Sequence, residues 1–232
     1  MKTITLFILT ILLSFFIPCS TEMEEVFKNK GVTISTNSSY EVLEFNRKHV
    51  EFGVNEGRPT NTDFYINGNF FYEGGVPMGL VVIDGKKKYG KRKGGGFFYV
   101  KNGIPYVSSK HCPPSTDYCS QSVFWGIDNG VFNTFALTEN HAKLKRCRTL
   151  IGENKKGEII LIISKIRLDA QTILTFSKNY NLVDAVFCDG GTSVDYNFNS
   201  SGYSSTFKSM KDNLKFILGI DPPPIYITGN FK

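Results

Sequence analysis

The stretch "GEIILIISKIRLDAQTILTFSKNYNLVDAVFCDGG", residues 157–191, carries the clearest structural signals in the chain. Residues 157–164 form a continuous apolar run, which is typical of a strand buried on both faces. The next segment places its apolar residues at helical spacing, and residues 183–188 are again apolar and typical of a strand. This order predicts a strand, a helix and a second strand joined as a crossover unit.

Short strands are predicted along the first two thirds of the chain, because β-branched and aromatic runs alternate there with glycine and polar residues. These runs are "YEVLEFN" (40–46), "TDFYIN" (62–67) and "GLVVID" (79–84), followed by hairpins over 97–107 and 122–135 and a last core strand at 214–220. We therefore predict an α+β fold with a mixed, largely antiparallel sheet, few helices and one strand-helix-strand crossover near the C-terminus.

Composition supports one ordinary globular domain, because 41% of the 232 residues are hydrophobic and 21% are charged. The formal net charge is +6, and much of the excess lies in the lysine-rich segment 84–96. That segment is either a solvated hairpin or a rim that attracts an anionic polymer or a phosphate-bearing substrate. Nucleic acid is not an expected partner, because the sequence has no recognisable nucleic-acid-binding module.

Residues 1–20 are typical of a secretory signal peptide, with one basic residue, an apolar run and then small polar residues. The apolar run is shorter than the roughly 20 residues that a spanning helix needs. We therefore expect export, to the cell envelope (periplasm or cell surface) or the medium, with residues 21–232 as a single domain. A lipid on Cys19 is the only membrane attachment that the sequence suggests.

Four cysteines remain in the exported part, and two of them, Cys112 and Cys119, flank a short polar loop. An oxidising compartment favours a disulfide between them. The alternative is metal binding by His111, Cys112 and Cys119, although the chain has no second His/Cys pair at zinc-site spacing.

Polar clusters interrupt or end four apolar runs. They are "INGNFF" (66–71), "SQS" (120–122), "CRTLIG" (147–152) and "DGGTS" (189–193). Each alone has a structural explanation, such as a turn at Asn67-Gly68 or a surface cation at Arg148. The glycines of "DGGTS" suit either a tight turn or a loop that approaches a ligand closely.

Together, and in this order, the four clusters and the glycine-rich 94–103 segment resemble the phosphodiester glycosidase domain family. The resemblance spans about residues 60–220. The chain departs from the family pattern at Thr192, where glycine is frequent, and at Leu150, where alanine is usual. Val123 and Phe124 replace a glycine-proline pair, which affects the predicted shape of the substrate pocket.

The resemblance implies a hydrolase that breaks the bond between a sugar anomeric carbon and the phosphate of a sugar-1-phosphodiester. The leaving phosphate monoester is a weak base, so one essential carboxylate and a cation on the phosphate are sufficient. Asp189 is the predicted carboxylate, with Asp195 as the runner-up, and Arg148 is the predicted phosphate clamp. The predicted substrate-binding residues are Asn67, Gln121, Ser122, Thr149, Gly190, Gly191, Thr192 and Ser193.

No cofactor is required by this chemistry, although a divalent cation beside Asp189 is compatible with it. The expected partner is a glycan or a sugar phosphodiester. Two other classes of function remain open: an envelope protein that binds phosphosugars or glycans without cutting them, and a structural surface component.

Overall fold

The computed structural model describes residues 22–72, 75–91, 93–133, 140–191, 194–200, 202–208 and 225–232. The strands are β1 (Glu24–Lys28), β2 (Val32–Thr36), β3 (Tyr40–Phe45), β4 (Val50–Glu56), β5 (Phe64–Asn67), β6 (Val81–Ile83), β7 (Lys86–Tyr89), β8 (Phe97–Lys101), β9 (Ile104–Ser108), β10 (Tyr118–Gln121), β11 (Trp125–Asp128), β12 (Val131–Phe132), β13 (Thr149–Asn154), β14 (Ile159–Ser164), β15 (Leu182–Phe187), β16 (Asp195–Ser200), β17 (Tyr203–Lys208) and β18 (Ile225–Phe231). The helical segments are α1 (Asn140–Lys143), α2 (Ala170–Ser177) and a 3-10 turn at Lys178–Tyr180.

These strands divide among three sheets rather than forming one. An eight-stranded sheet has the order β1-β2-β3-β14-β13-β15-β11-β12, and two five-stranded sheets have the orders β7-β6-β10-β8-β9 and β17-β16-β5-β18-β4. The predicted antiparallel character is confirmed, because every pairing between the described strands is antiparallel. The division into sheets depends on which distant strands pair, and local sequence patterns carry no such information.

Strand β14 lies inside the eight-stranded sheet, and all six of its residues are buried, as its apolar run predicts. Its neighbours in the sheet are β3 and β13, and β15 follows on the far side of β13. Because β14 and β15 both pair antiparallel with β13, which lies between them, they run in the same direction. Helix α2 joins them in sequence.

The main core lies between one face of the eight-stranded sheet and the two smaller sheets. Aromatic rings from each sheet meet there: the centroids of Phe45 and Phe64 are 4.5 Å apart, and those of Phe52 and Phe98 are 5.8 Å apart. Burying one such side chain stabilises the fold by about 1.5–3 kcal/mol. The three sheets are therefore held together by one continuous apolar layer.

Helix α2 covers the other face of the eight-stranded sheet with the buried residues Ala170, Ile173 and Leu174, as their spacing predicts. The helix begins after Asp169, whose carboxylate accepts a hydrogen bond of 2.7 Å from the backbone N–H of Thr172. Asp169 is thus an N-cap, which satisfies a backbone donor at the start of the helix.

Both predicted hairpins are present. Asn102 and Gly103 (φ 53° and 72°) join β8 to β9, and Asn129 and Gly130 (φ 50° and 77°) join β11 to β12. Positive φ at two consecutive positions is the geometry that a tight primed turn requires.

Several sequence predictions concern residues outside the described ranges. They are the signal peptide over 1–20, the lipid on Cys19, the strand at 214–220 and the binding roles of Thr192 and Ser193. Among the residues that are described, no helix is long and apolar enough to span a membrane.

Candidate active site at the end of strand β15

The four polar segments meet at the carboxyl end of β15. The side-chain amide of Asn67 donates a 2.7 Å hydrogen bond to the carbonyl of Asp189, and the hydroxyl of Ser122 donates to the carbonyl of Phe187. The backbone N–H of Cys188 donates to the carbonyl of Thr149 at 3.0 Å. Segments that are far apart in sequence are therefore brought to one place, as their shared chemistry predicts.

Asp189 lies directly after β15 and is partly exposed. Its backbone is held from both sides, because its N–H donates to the carbonyl of Gly68 at 2.9 Å and its carbonyl accepts from Asn67. Its Oδ1 atom accepts a 2.9 Å bond from the N–H of Gly190. The partly exposed carboxylate is thus carried on a well-held backbone.

The two glycines after Asp189 have a structural reason. A Cβ on Gly190 would lie 2.8 Å from the carbonyl oxygen of Cys147, closer than real Cβ atoms approach. Gly191 has φ +73°, and its N–H donates to the same carbonyl at 2.7 Å. Both positions need glycine for close packing and a left-handed turn. The tight-turn explanation of "DGG" is therefore sufficient for the fold, and it leaves the Asp189 carboxylate at the rim of the turn.

Arg148 stands beside this turn but directs its guanidinium to the region of α1. Nε donates to the carbonyl of Leu168 at 3.3 Å, and Nη2 donates to those of Ala142 and Leu144 at 3.3 and 2.7 Å. Burial, and then the charge of Arg146, lowers the pKa of Arg148. These three hydrogen bonds go to neutral carbonyls, so they do not neutralise its charge. Its role as a phosphate clamp stays a prediction.

A second cation, Arg146, lies at the site. It was not among the residues predicted from the sequence. Its Cδ atom lies 3.3 Å from the position that a Cβ on Gly191 would take. The side chain is half-buried and makes no hydrogen bond or ion pair with the described residues. The basic run "KLKRCR" (143–148) is the signal that could have found it, because alternate positions in an extended segment lie on the same side.

Gln121 and Ser122 are buried, and their side chains are hydrogen-bonded to backbone groups. Gln121 donates from Nε2 to the carbonyl of Gly94 at 2.7 Å and accepts at Oε1 from the N–H of Leu80 at 2.9 Å. Thr149 is also buried, and its hydroxyl has no hydrogen-bond partner in the part of the chain that the structure describes. These side chains shape the loops around Asp189, and their predicted contacts with a sugar stay predictions.

Asp195, the runner-up carboxylate, lies in a different environment from Asp189. It is 3% exposed, and its Oδ2 atom accepts hydrogen bonds from the guanidinium of Arg58 and from the hydroxyl of Tyr226, the latter at 3.0 Å. Its backbone N–H donates to Oδ1 of Asn67 at 3.1 Å. Asn67 therefore joins the Asp189 loop to the Asp195 strand with one amide. The carboxylate of Asp195 itself forms an ion pair with Arg58.

A metal site was one reading of His111, Cys112 and Cys119. Within the described residues, no group of three or more His, Cys, Asp or Glu side chains is arranged to hold a metal ion, so the structure gives this alternative no support. The possible divalent cation beside Asp189 stays a prediction, which a chelator can test.

Cys112 and Cys119 are both thiols in this structure, and they lie side by side. The hydrogen bond from Cys119 lowers the pKa of Cys112 to about 7, and the same contact, with burial, raises the pKa of Cys119. A thiolate next to a second thiol is the arrangement from which a disulfide forms under oxidising conditions. The structure contains no disulfide between them, and the pairing stays a prediction.

We expect mild oxidation to join Cys112 to Cys119 and to raise the free energy of unfolding by about 2 kcal/mol, as the closure of a short loop implies. Alkylation of the unfolded protein, followed by mass spectrometry, should find two cysteines protected after oxidation. The buried thiols Cys147 and Cys188 serve as controls and should remain alkylated. Alkylation of Cys112 and Cys119 after oxidation would contradict the pairing.

The fold and the loops at the end of β15 define a three-sheet domain that presents one carboxylate on a glycine turn. The family model for phosphodiester glycosidase matches residues 60–214. The chain belongs to the phosphodiester glycosidase family, as its motifs predict.

Solved structures share this fold. The catalytic domain of zebrafish N-acetylglucosamine-1-phosphodiester alpha-N-acetylglucosaminidase, auto-inhibited by its pro-peptide, is 15% identical with a TM-score of 0.60, over 91% of this chain and 82% of that one. A hypothetical protein from Synechocystis is 11% identical with a TM-score of 0.62, over 91% of this chain and 64% of that one. A Burkholderia pseudomallei protein described as exported is 10% identical with a TM-score of 0.51, over 86% and 74%. At these identities the likeness shows the fold alone. A comparison with curated proteins finds no match.

Proposed function

We propose that this protein is an exported hydrolase that cleaves the bond between a sugar anomeric carbon and the phosphate of a sugar-1-phosphodiester. Membership of the family supports phosphodiester glycosidase chemistry in general terms. The observation that carries the proposal is the position of Asp189, a partly exposed carboxylate at the point where the four family segments meet.

In this mechanism the bond from the anomeric carbon to the phosphate oxygen breaks, and the phosphate monoester leaves with the bonding electron pair. Asp189 stabilises the oxocarbenium-like centre, either as nucleophile or as a base that takes a proton from the attacking water. Water supplies the oxygen and one proton of the new sugar hydroxyl, and its other proton passes through Asp189 to solvent. A strong acid for the leaving group is unnecessary, because a phosphate monoester is a weak base.

The phosphate would be bound by the guanidinium groups of Arg148 and Arg146. The charge of Arg146 lowers the pKa of Arg148, which indicates that the two cations are close enough to repel each other. An anion between them would relieve that repulsion, and a guanidinium matches two phosphate oxygens. Arg148 is fixed by its backbone carbonyl partners, whereas the Arg146 side chain makes no hydrogen bond with the described residues and lies against Gly191.

The sugar would lie against the loops that surround Asp189. We assign its hydroxyl contacts to Asn67, Gln121, Ser122 and Thr149, and its backbone contacts to Gly190 and Gly191. Thr192 and Ser193 continue this set in sequence. Export by residues 1–20, with a glycan or sugar phosphodiester as partner, completes the proposal. A lipid on Cys19 would hold the protein at a membrane surface.

The two arginines can be separated by kinetics on a sugar-1-phosphodiester. We expect Arg148→Ala and Arg146→Ala each to lower kcat/KM by about 10- to 100-fold, because each removes a charge-assisted contact with the phosphate. Lys30→Ala, which removes an exposed cation between β1 and β2, is the control and should behave like the unaltered protein. Full activity of Arg146→Ala would assign the phosphate to Arg148 alone.

Binding of a phosphosugar without cleavage is the second candidate function. It is favoured by Phe124, which replaces a family proline and packs its ring on Phe70 with centroids 5.8 Å apart, beside the Asp189 loop. A ring at this position would narrow the pocket. Saturable binding of the phosphodiester by a protein that never turns it over, with or without chelator, would select this candidate.

A further inference from the structure

A second polar cleft lies on the outer face of the third sheet, along β4. It has a volume of about 430 Å³. The polar and charged residues that line it are Glu51, Asn55, Arg58, Thr60, Asn61, Thr62, Asp84, Tyr118, Thr228 and Asn230. None of these belongs to the site at the end of β15, and the proposed function does not use them.

Arg58 stands at one end of this cleft. Its Nε and Nη2 atoms both donate to Oδ2 of Asp195, so the guanidinium is held by a buried carboxylate. Arg58 also bonds to the hydroxyl of Tyr226, and its side chain is 41% exposed. An anchored, partly exposed guanidinium is preorganised for an anionic group that arrives from the cleft.

Neutral hydrogen-bonding groups follow Arg58 along the loop between β4 and β5. Asn61 is exposed, and Thr62 has a buried hydroxyl with no hydrogen-bond partner in the described chain. A buried hydroxyl without a partner is unusual in a folded protein, because it loses its bond to water and gains nothing in return.

The other end of the cleft is acidic. Glu51 lies near the start of β4, whereas Arg58 lies beyond its other end, and Asp84 accepts a 2.6 Å bond from the hydroxyl of Tyr118. Gly53 leaves the Tyr118 ring uncovered, because a Cβ there would lie 3.9 Å from it. Acidic groups at this end repel a second anion. The cleft therefore suits a long ligand with one negative charge at the Arg58 end and neutral hydroxyls elsewhere.

We infer that this cleft binds an oligosaccharide that carries one anionic group, a carboxylate or a phosphate, which pairs with Arg58. The hydroxyls of the remaining sugars bind the Asn and Thr side chains, and the Tyr118 ring packs against a sugar face. The inference does not rest on the proposed hydrolase function. It gives the protein a way to bind a glycan away from the catalytic loop.

The test is isothermal titration calorimetry, which measures the dissociation constant of the full exported chain for three probes. They are a uronic-acid-terminated oligosaccharide, a neutral oligosaccharide of equal length, and that neutral oligosaccharide with a terminal phosphate. We expect each anionic probe to bind about tenfold more tightly than the neutral one, as a charge-assisted hydrogen bond implies. Comparison of the affinities of the two anionic probes identifies whether Arg58 prefers a carboxylate or a phosphate. Equal affinity of neutral and anionic probes, or no binding at millimolar concentration, would overturn the inference.

Variants locate the binding. Arg58→Lys keeps the charge but loses the planar arrangement of N–H donors that a guanidinium provides. We expect about fivefold weaker binding of the anionic probes. Asn61→Asp, on an exposed loop, adds a repelling charge without disturbing the core, and should weaken the anionic probes but not the neutral one. Arg167→Gln is the matched control and should change nothing. Unchanged affinity for the anionic probes in both Arg58→Lys and Asn61→Asp would show that the cleft is not their binding site. This outcome does not depend on whether the protein is a hydrolase.

Discussion

Asp189→Asn is expected to lower kcat on a sugar-1-phosphodiester by at least about 1000-fold while the protein stays folded. An amide cannot stabilise the developing positive charge at the anomeric carbon, attack it or take a proton from water. The Asn side chain retains an oxygen that can accept the hydrogen bond from Gly190, so the local turn should persist. The bonds from Asn67 and to Gly68 involve only the backbone of residue 189 and are unaffected.

The measurement is steady-state turnover together with thermal unfolding of both proteins. Asp184→Asn is the matched control, because Asp184 lies on β15, the strand that leads to Asp189, but outside the loop cluster. We expect this control to keep its activity. A folded Asp189→Asn protein with undiminished turnover would exclude Asp189 from the chemistry and leave the glycine turn with a structural role alone.

Asp195→Ala is expected to lower the free energy of unfolding by about 3 kcal/mol. The substitution removes the acceptor of the bonds from Arg58 and from the buried hydroxyl of Tyr226. It thus leaves a partly desolvated cation and a buried hydroxyl without their shared carboxylate acceptor. Arg58 is 41% exposed and can recover some hydration, which keeps the expected loss below that of a fully buried ion pair.

Urea unfolding gives the free energy, and a fall in Tm of about 6–12 °C should accompany a loss of this size in a chain of this length. Tyr226→Phe, which removes one hydroxyl, should cost about 1 kcal/mol. In the double variant Arg58→Ala/Asp195→Ala the loss should be smaller than the sum of the single losses, because the two groups are direct partners. Strict additivity would show that the pair contributes no coupling energy.

Local structure followed closely from the sequence. Helix α2 and the buried strand β14 are where apolar spacing predicts them, since burial of one face or two imposes a period that neighbouring residues display. The two Asn-Gly pairs form the turns that their positive φ allows. The ordered motifs also identified the family and the segments that surround Asp189.

Tertiary structure decided the division into three sheets and the partners of each polar group. Arg58 and Asp195 are 137 positions apart, and no local pattern marks them as a pair. Arg148 bonds to the carbonyls of Ala142, Leu144 and Leu168. Arg146 instead lies against Gly191. The run of basic residues does not show which arginine takes which position. Strand periodicity and turn chemistry are properties of adjacent residues, so the sequence alone determines them. Ion pairs and sheet partners depend on which distant segments the core brings together, and only the folded chain establishes that.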